Sequence, residues 1–145
     1  MQLSPHFTLE ELTTTSTGLA NTATVAEIEL LRKLAEFMEK VRTALDGRAI
    51  HVNSAFRSAA VNAAVGGVSN SAHRLGFACD FVCPEFGTPY EICIALDAAE
   101  KAGRIKFDQL IQEGTWVHIS RDPKLRGQRL TLSGAGEYLA GIHRT

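Results

Sequence analysis

Neither sign of charge is in excess in this chain: 15 lysines and arginines face 16 aspartates and glutamates, for a formal net charge of -1 over 145 residues. That balance argues against a nucleic-acid binder, which would carry a basic stripe. Missing too is any run of eighteen or more apolar residues, so no segment reads as a membrane span. The start, Met1-Gln2-Leu3-Ser4-Pro5-His6, lacks the basic residues and apolar stretch of a secretory signal, which predicts synthesis in the cytoplasm without a signal peptide. Cysteine is scarce. Cys79, Cys83 and Cys93 are an odd count without a disulfide-rich pattern, and they read as small buried hydrophobes. Internal repeats, low-complexity tracts and Pro- or Ser-rich linkers are absent. The expectation is one domain, residues 1–145, whose 45% hydrophobic content can fill a core.

What is present is a series of helix and strand signals. Thr8-Leu9-Glu10-Glu11 and Thr24-Val25-Ala26-Glu27 are capping boxes. Behind the second, Val25, Ile28, Leu31, Leu34, Ala35, Met38, Val41 and Leu45 recur at three- and four-residue steps, which predicts a long amphipathic helix ending at Gly47. Arg48 to Ser54 alternates as a strand, Ser58 to Val65 reads as a short helix, and Phe77 to Val82 as the next strand. Thr88-Pro89-Tyr90-Glu91 opens a helix that Gly103 closes. Ile105 to Gln112 and Trp116 to Ser120 read as strands joined tightly through Glu113-Gly114-Thr115, and Leu130 to Leu132 as a further short strand. The last dozen residues carry no signal. Helices first, then strands interrupted by a helix, predict an α+β domain: an antiparallel sheet with helices packed on one side.

Chemistry concentrates in three polar residues. Asp80 sits between Cys79 and Phe81 in an apolar strand, where an unpaired carboxylate is costly unless a metal or an arginine relieves it. His118 lies in another apolar strand, between Val117 and Ile119. His73 ends the polar run Ser69-Asn70-Ser71-Ala72-His73. Two imidazoles and a carboxylate, with a fourth position left for water, are the donor set of a catalytic zinc site. Gly76 permits a tight return from the His73 loop to the Asp80 strand.

The pattern Ser71-x-His73-x-x-Gly76-x-Ala78-x-Asp80, followed by Trp116-x-His118, resembles the zinc D-Ala-D-Ala peptidases that cut bacterial peptidoglycan. That family also holds the L-Ala-D-Glu endolysins of phages and the vancomycin-resistance dipeptidases, and hedgehog signalling domains share its fold. The resemblance spans Phe7 to Ser120. It implies a hedgehog/DD-peptidase-like fold and one Zn2+ per chain on His73, Asp80 and His118. It also implies that Arg57 binds the substrate carbonyl or carboxylate and that Ser71 faces substrate, although a turn-capping role would suit that hydroxyl equally. Peptidoglycan is the implied partner, with no nucleic acid or membrane involved and the protein a monomer. Small size without a signal peptide looks like a phage endolysin or virion-associated lysin acting on the cell wall after release. A small bacterial carboxypeptidase is a variant of that reading. A non-enzymatic zinc-containing binding module, or a phage structural module of the same fold, is the alternative.

A zinc hydrolase also needs a base, and here the residues must be read directly. If Gly114 and Thr115 form the turn, Glu113 pairs with Trp116, and alternation puts Glu113, Trp116 and His118 on one face. Glu113 is therefore the expected base, although much of the family places an acid or histidine two or three residues before the last ligand. Asp108 is the runner-up, but alternation sends it to the opposite face. His6, His51 and His143 lie outside the pattern, His51 alone close enough to Arg57 to line a cleft.

Overall fold

A computed structural model describes residues 1–145. The chain opens with two very short strands, β1 (Gln2–Ser4) and β2 (Phe7–Thr8), which pair with each other, and a one-turn helix α1 (Leu9–Leu12). The long helix α2 (Val25–Ala44) follows, then β3 (His51–Ser54), α3 (Ala59–Ala64), β4 (Ala78–Val82), α4 (Pro89–Lys101), β5 (Gln109–Gln112), β6 (Val117–Ser120), β7 (Gln128–Leu132) and β8 (Tyr138–Ala140). The expected capping boxes form at Thr8, Thr24 and Thr88, each threonine accepting from the backbone amide of the glutamate three residues on. Pro89 takes the first turn of α4, where its missing amide costs nothing.

Six strands make the main sheet in the order β3-β4-β6-β5-β7-β8. All neighbours are antiparallel except β5 and β7, which run parallel. The domain is α+β as expected, but its sheet is not purely antiparallel. The loop from β6 to β7 carries the chain past β5 to that strand's free edge, so β7 arrives in the same direction as β5. Two strands are shorter than the sequence pattern suggested. Ladder pairing begins at His51 rather than Arg48, and at Gln109 rather than Ile105. Ile105 and Phe107 are buried all the same, so their apolar character reports core contact and not strand geometry.

The two faces of the sheet differ. One presents Cys79 and Phe81, Val117 and Ile119, and Leu110 to the buried faces of α2 and α4. Leu31, Leu34, Ala35, Met38 and Val41 of α2 pack there with Ile92, Cys93 and Leu96 of α4. Val25, part of the expected stripe, is exposed on the first turn of α2, ahead of the packed residues. All three cysteines are buried and unpaired within this layer or at its edge. The opposite face carries no helix layer. Asp80, His118, Ile111, Leu130 and Ala140 are successive in-register partners across it, from β4 to β8.

The chain beyond β6 is tied in by buried polar groups, which must find partners. Gln112 and Thr131 face each other in register on the covered side and are both fully buried. Gln112 Nε2 donates to the His143 carbonyl. The Thr131 hydroxyl donates to the Gly141 carbonyl at 2.8 Å and accepts from the His143 amide at 2.9 Å. Arg129 reaches back to Asp97 and Glu100 of α4. Replacing Thr131 by valine keeps its shape but strands two backbone groups, so unfolding free energy should fall by about 1–3 kcal/mol. Urea unfolding checks the magnitude, and hydrogen exchange should show the loosening at residues 138–143.

Candidate metal centre

Asp80 stands on the exposed sheet face, on β4, the second strand from the β3 edge and hydrogen-bonded to neighbours on both sides. A β-bulge in β3 between Val52 and Ser54 brings Ser54 opposite it. His118 is its in-register partner on β6, and Nδ1 of His118 lies 2.8 Å from Asp80 Oδ1. His73 comes from the loop after α3, and its Nε2 lies 3.2 Å from Asp80 Oδ2. The two imidazole rings meet edge to face, with centroids 5.2 Å apart. One donor atom from each of the three residues lies within 4.8 Å of the others. His73 is buried, and the side chains of Asp80 and His118 are each 13% exposed.

The loop that delivers His73 is built for the purpose. Gly76 takes φ 76°, a left-handed conformation that ordinary side chains resist, and returns the chain into β4. The Ser71 hydroxyl accepts from the His73 amide at 3.3 Å, a turn-capping contact. His73 Nδ1 faces the buried Ala55 carbonyl at 2.7 Å. With the ring proton held there, Nε2 is left as the lone-pair nitrogen facing Asp80, the orientation that a metal-binding histidine requires. Burial opposes ionisation of Asp80, but the His118 and His73 imidazoles beside it outweigh that and hold the carboxyl well below the usual range. A group ionised in that setting, with two imidazoles converging on it, can hold a cation.

Arg57 borders the cluster. Its Nη2 is 3.9 Å from Asp80 Oδ2, and its side chain is 19% exposed. Its amide donates to the His73 carbonyl. Asn21 fixes the segment around it: Nδ2 donates to the carbonyls of Thr13 and Phe56, and Oδ1 accepts from the Ser58 amide. The sequence offered no sign of this, because Asn21 lies between the two capping boxes, outside every helix, strand and motif signal.

A family model described as peptidase M15 matches residues 5–120. The chain belongs to the peptidase M15 family. No curated protein matches it. M15 peptidases are zinc-dependent, so this chain is a metallopeptidase, and the His73, Asp80 and His118 cluster fits the ion it would carry. The donors are nitrogen and oxygen, three in number, as suits a zinc site with an open position. None of the cysteines joins them, and burial pushes the Cys93 thiol up to about 12.

Glu113 lies where the alternation predicts. Its amide donates to the Trp116 carbonyl, the last rung of the β5–β6 hairpin, and Gly114 turns the chain with φ 90°. It therefore shares the exposed face with Trp116 and His118. Burial raises its carboxyl above the ordinary value, while the Tyr138 hydroxyl and the neighbouring imidazoles of His118 and His73 counter that and Asp80 adds to it. Tyr138 comes from β8, in the segment without a sequence signal. Of the other histidines, His6 bonds Glu39 and His143 faces the Ala140 carbonyl. His51 is exposed in a shallow groove with Glu10, Glu11 and Thr14, outside the metal cluster.

Asp108 is elsewhere, on the covered side of the sheet. Its carboxylate is gripped by Arg126 through Nε at 2.9 Å, Nη2 at 2.8 Å and the backbone amide at 3.0 Å. Those hydrogen bonds hold its carboxyl below the usual range. A depressed folded-state pKa contributes stability above the unfolded value and loses it as pH falls through the folded one. Asp108→Asn should therefore cost about 1–2 kcal/mol near neutrality while zinc content stays unchanged. The gap between wild type and variant should narrow below about pH 4, as thermal unfolding at a series of pH values will show.

Proposed function

We propose that this metallopeptidase hydrolyses peptide bonds in the stem peptides or cross-links of peptidoglycan and serves as a phage lysin. Residues 1–145 act as one monomeric catalytic domain holding one zinc on His73, Asp80 and His118. The observation that carries the reading is the convergence of these three residues on an uncovered sheet face, with Arg57 beside Asp80 and Glu113 on the same face as His118. An extended peptide laid along that face would meet all five side chains.

Zinc, when bound, supplies Lewis-acid polarisation of the scissile carbonyl and lowers the pKa of water. Arg57 directs its guanidinium at the oxygen on which charge builds, an oxyanion-hole-type contribution. Glu113 accepts the proton of the attacking water and returns it to the leaving amine. Its raised pKa suits this, because a base works best when its pKa approaches the working pH. Ser71, whose oxygen already accepts one bond, retains a hydroxyl proton to donate to substrate.

Two outcomes test this. Purified protein should carry about one zinc per chain by elemental analysis, and His73→Ala or His118→Ala should lose both zinc and activity. Digestion of purified peptidoglycan should release new amino groups and no new reducing sugar ends, with mass spectrometry of the products naming the bond. Full zinc occupancy in either histidine variant, or an absence of released amines, would remove the reading in favour of a binding or structural module of the same fold. The lysin role adds that cells with a permeabilised outer membrane lyse while intact cells do not.

Arg57→Ala should keep zinc and fold while turnover falls on the order of a hundredfold. Lysine should rescue only in part, since an ammonium does not reproduce the guanidinium fork. Near-normal steady-state rates in the alanine variant would exclude Arg57 from the chemistry.

A further inference from the structure

The segment matched by the family model ends at Ser120, yet β8, well beyond it, places a side chain against the site. The exposed sheet face has two adjacent rows. One runs through Asp80, His118, Ile111 and Leu130. The next holds Trp116 and Glu113, and then Leu132 with its in-register partner Tyr138. Glu113 and Tyr138 thus sit two strands apart, roughly 10 Å between backbones. Their long side chains close that gap: the Tyr138 hydroxyl lies 3.1 Å from Oε1 and 3.2 Å from Oε2 of Glu113.

Core packing does not account for this tyrosine, which is 52% exposed. Its strand is nevertheless held firmly. Buried Gln112 and Thr131 need the carbonyls and amide of residues 141–143 as partners, and those bonds fix the chain that returns from β8. Glu113, by contrast, stands at a turn on a flexible side chain, and the tyrosine is the one residue that hydrogen-bonds its carboxylate. A hydroxyl donating to an ionised carboxylate makes a strong, directional bond.

We propose that Tyr138 is a positioning residue of the active site, its hydroxyl fixing the direction in which the Glu113 carboxylate faces the reacting water. The inference rests on Glu113 being the base in the reading above. It extends the working site past the matched family segment into the β7–β8 hairpin.

The test is a double-mutant cycle on the zinc-loaded enzyme with Tyr138→Phe, Glu113→Gln and the pair. Tyr138→Phe should leave zinc content, thermal midpoint and KM near wild type and lower kcat about tenfold. That loss should largely vanish in the Glu113→Gln background. A second readout does not depend on activity. Groups facing Glu113 are Tyr138 from β8, His118 from β6, Asp80 from β4 and His73 from its loop. Removing a donor to the charged carboxylate raises its pKa, so the Glu113 carboxyl resonance in carbon-13 NMR should titrate at higher pH in Tyr138→Phe. Wild-type kcat and an unmoved titration in Tyr138→Phe, with Glu113→Gln inactive, overturn the inference and leave the base in place. Full activity in Glu113→Gln overturns the base and this inference with it. An undiminished loss from Tyr138→Phe in the Glu113→Gln background overturns a role through Glu113.

Discussion

Asp80 carries a charge on an interior strand, flanked by β3 and β6 and largely withdrawn from water. An ionised carboxylate there is stable only with opposite charge or hydrogen bonds close by. Much of the surrounding structure supplies that. β6 brings His118 into register, the Gly76 return brings His73 across, and the bulge and short loop after β3 bring Arg57 alongside. His73 is in turn oriented by the Ala55 carbonyl, and the loop carrying Arg57 by Asn21. Each of these devices is local, and all converge on one side chain.

The sheet makes this possible by being covered on one face only. α2 and α4 bury the apolar side, which provides the stability, and the other side keeps the polar residues accessible. Antiparallel sheets tolerate such asymmetry. Charge could be placed mid-sheet because the helices took the opposite face. The same division explains why two acidic residues on one strand region differ so completely. Asp108 points to the covered side and is locked by Arg126, whereas Glu113 points to the open side and keeps a raised pKa.

Membership of the M15 family accounts for the segment from residue 5 to residue 120. The remaining chain is bound to it by buried polar groups. Gln112 and Thr131 lie under the sheet with no apolar alternative, and the tail satisfies them. That requirement carries β8 to a fixed place, and with it a tyrosine to the edge of the site.

The helices, their caps and most strands were legible from sequence because capping boxes and apolar periodicity are local signals. Cluster membership of His73, Asp80 and His118 was legible because their spacing resembles a family pattern, and the Glu113 face because a tight hairpin fixes register. Sequence alone did not reveal the parallel β5–β7 pair, the late start of β3 and β5, or the roles of Asn21 and Tyr138. Those depend on which distant backbone groups a buried side chain must satisfy, and on which strand lands beside which. Neither quantity is written in a window of neighbouring residues. The local pattern determined the elements and the donor set, while tertiary structure decided what surrounds them, because hydrogen bonds between remote segments exist only once the chain has closed on itself.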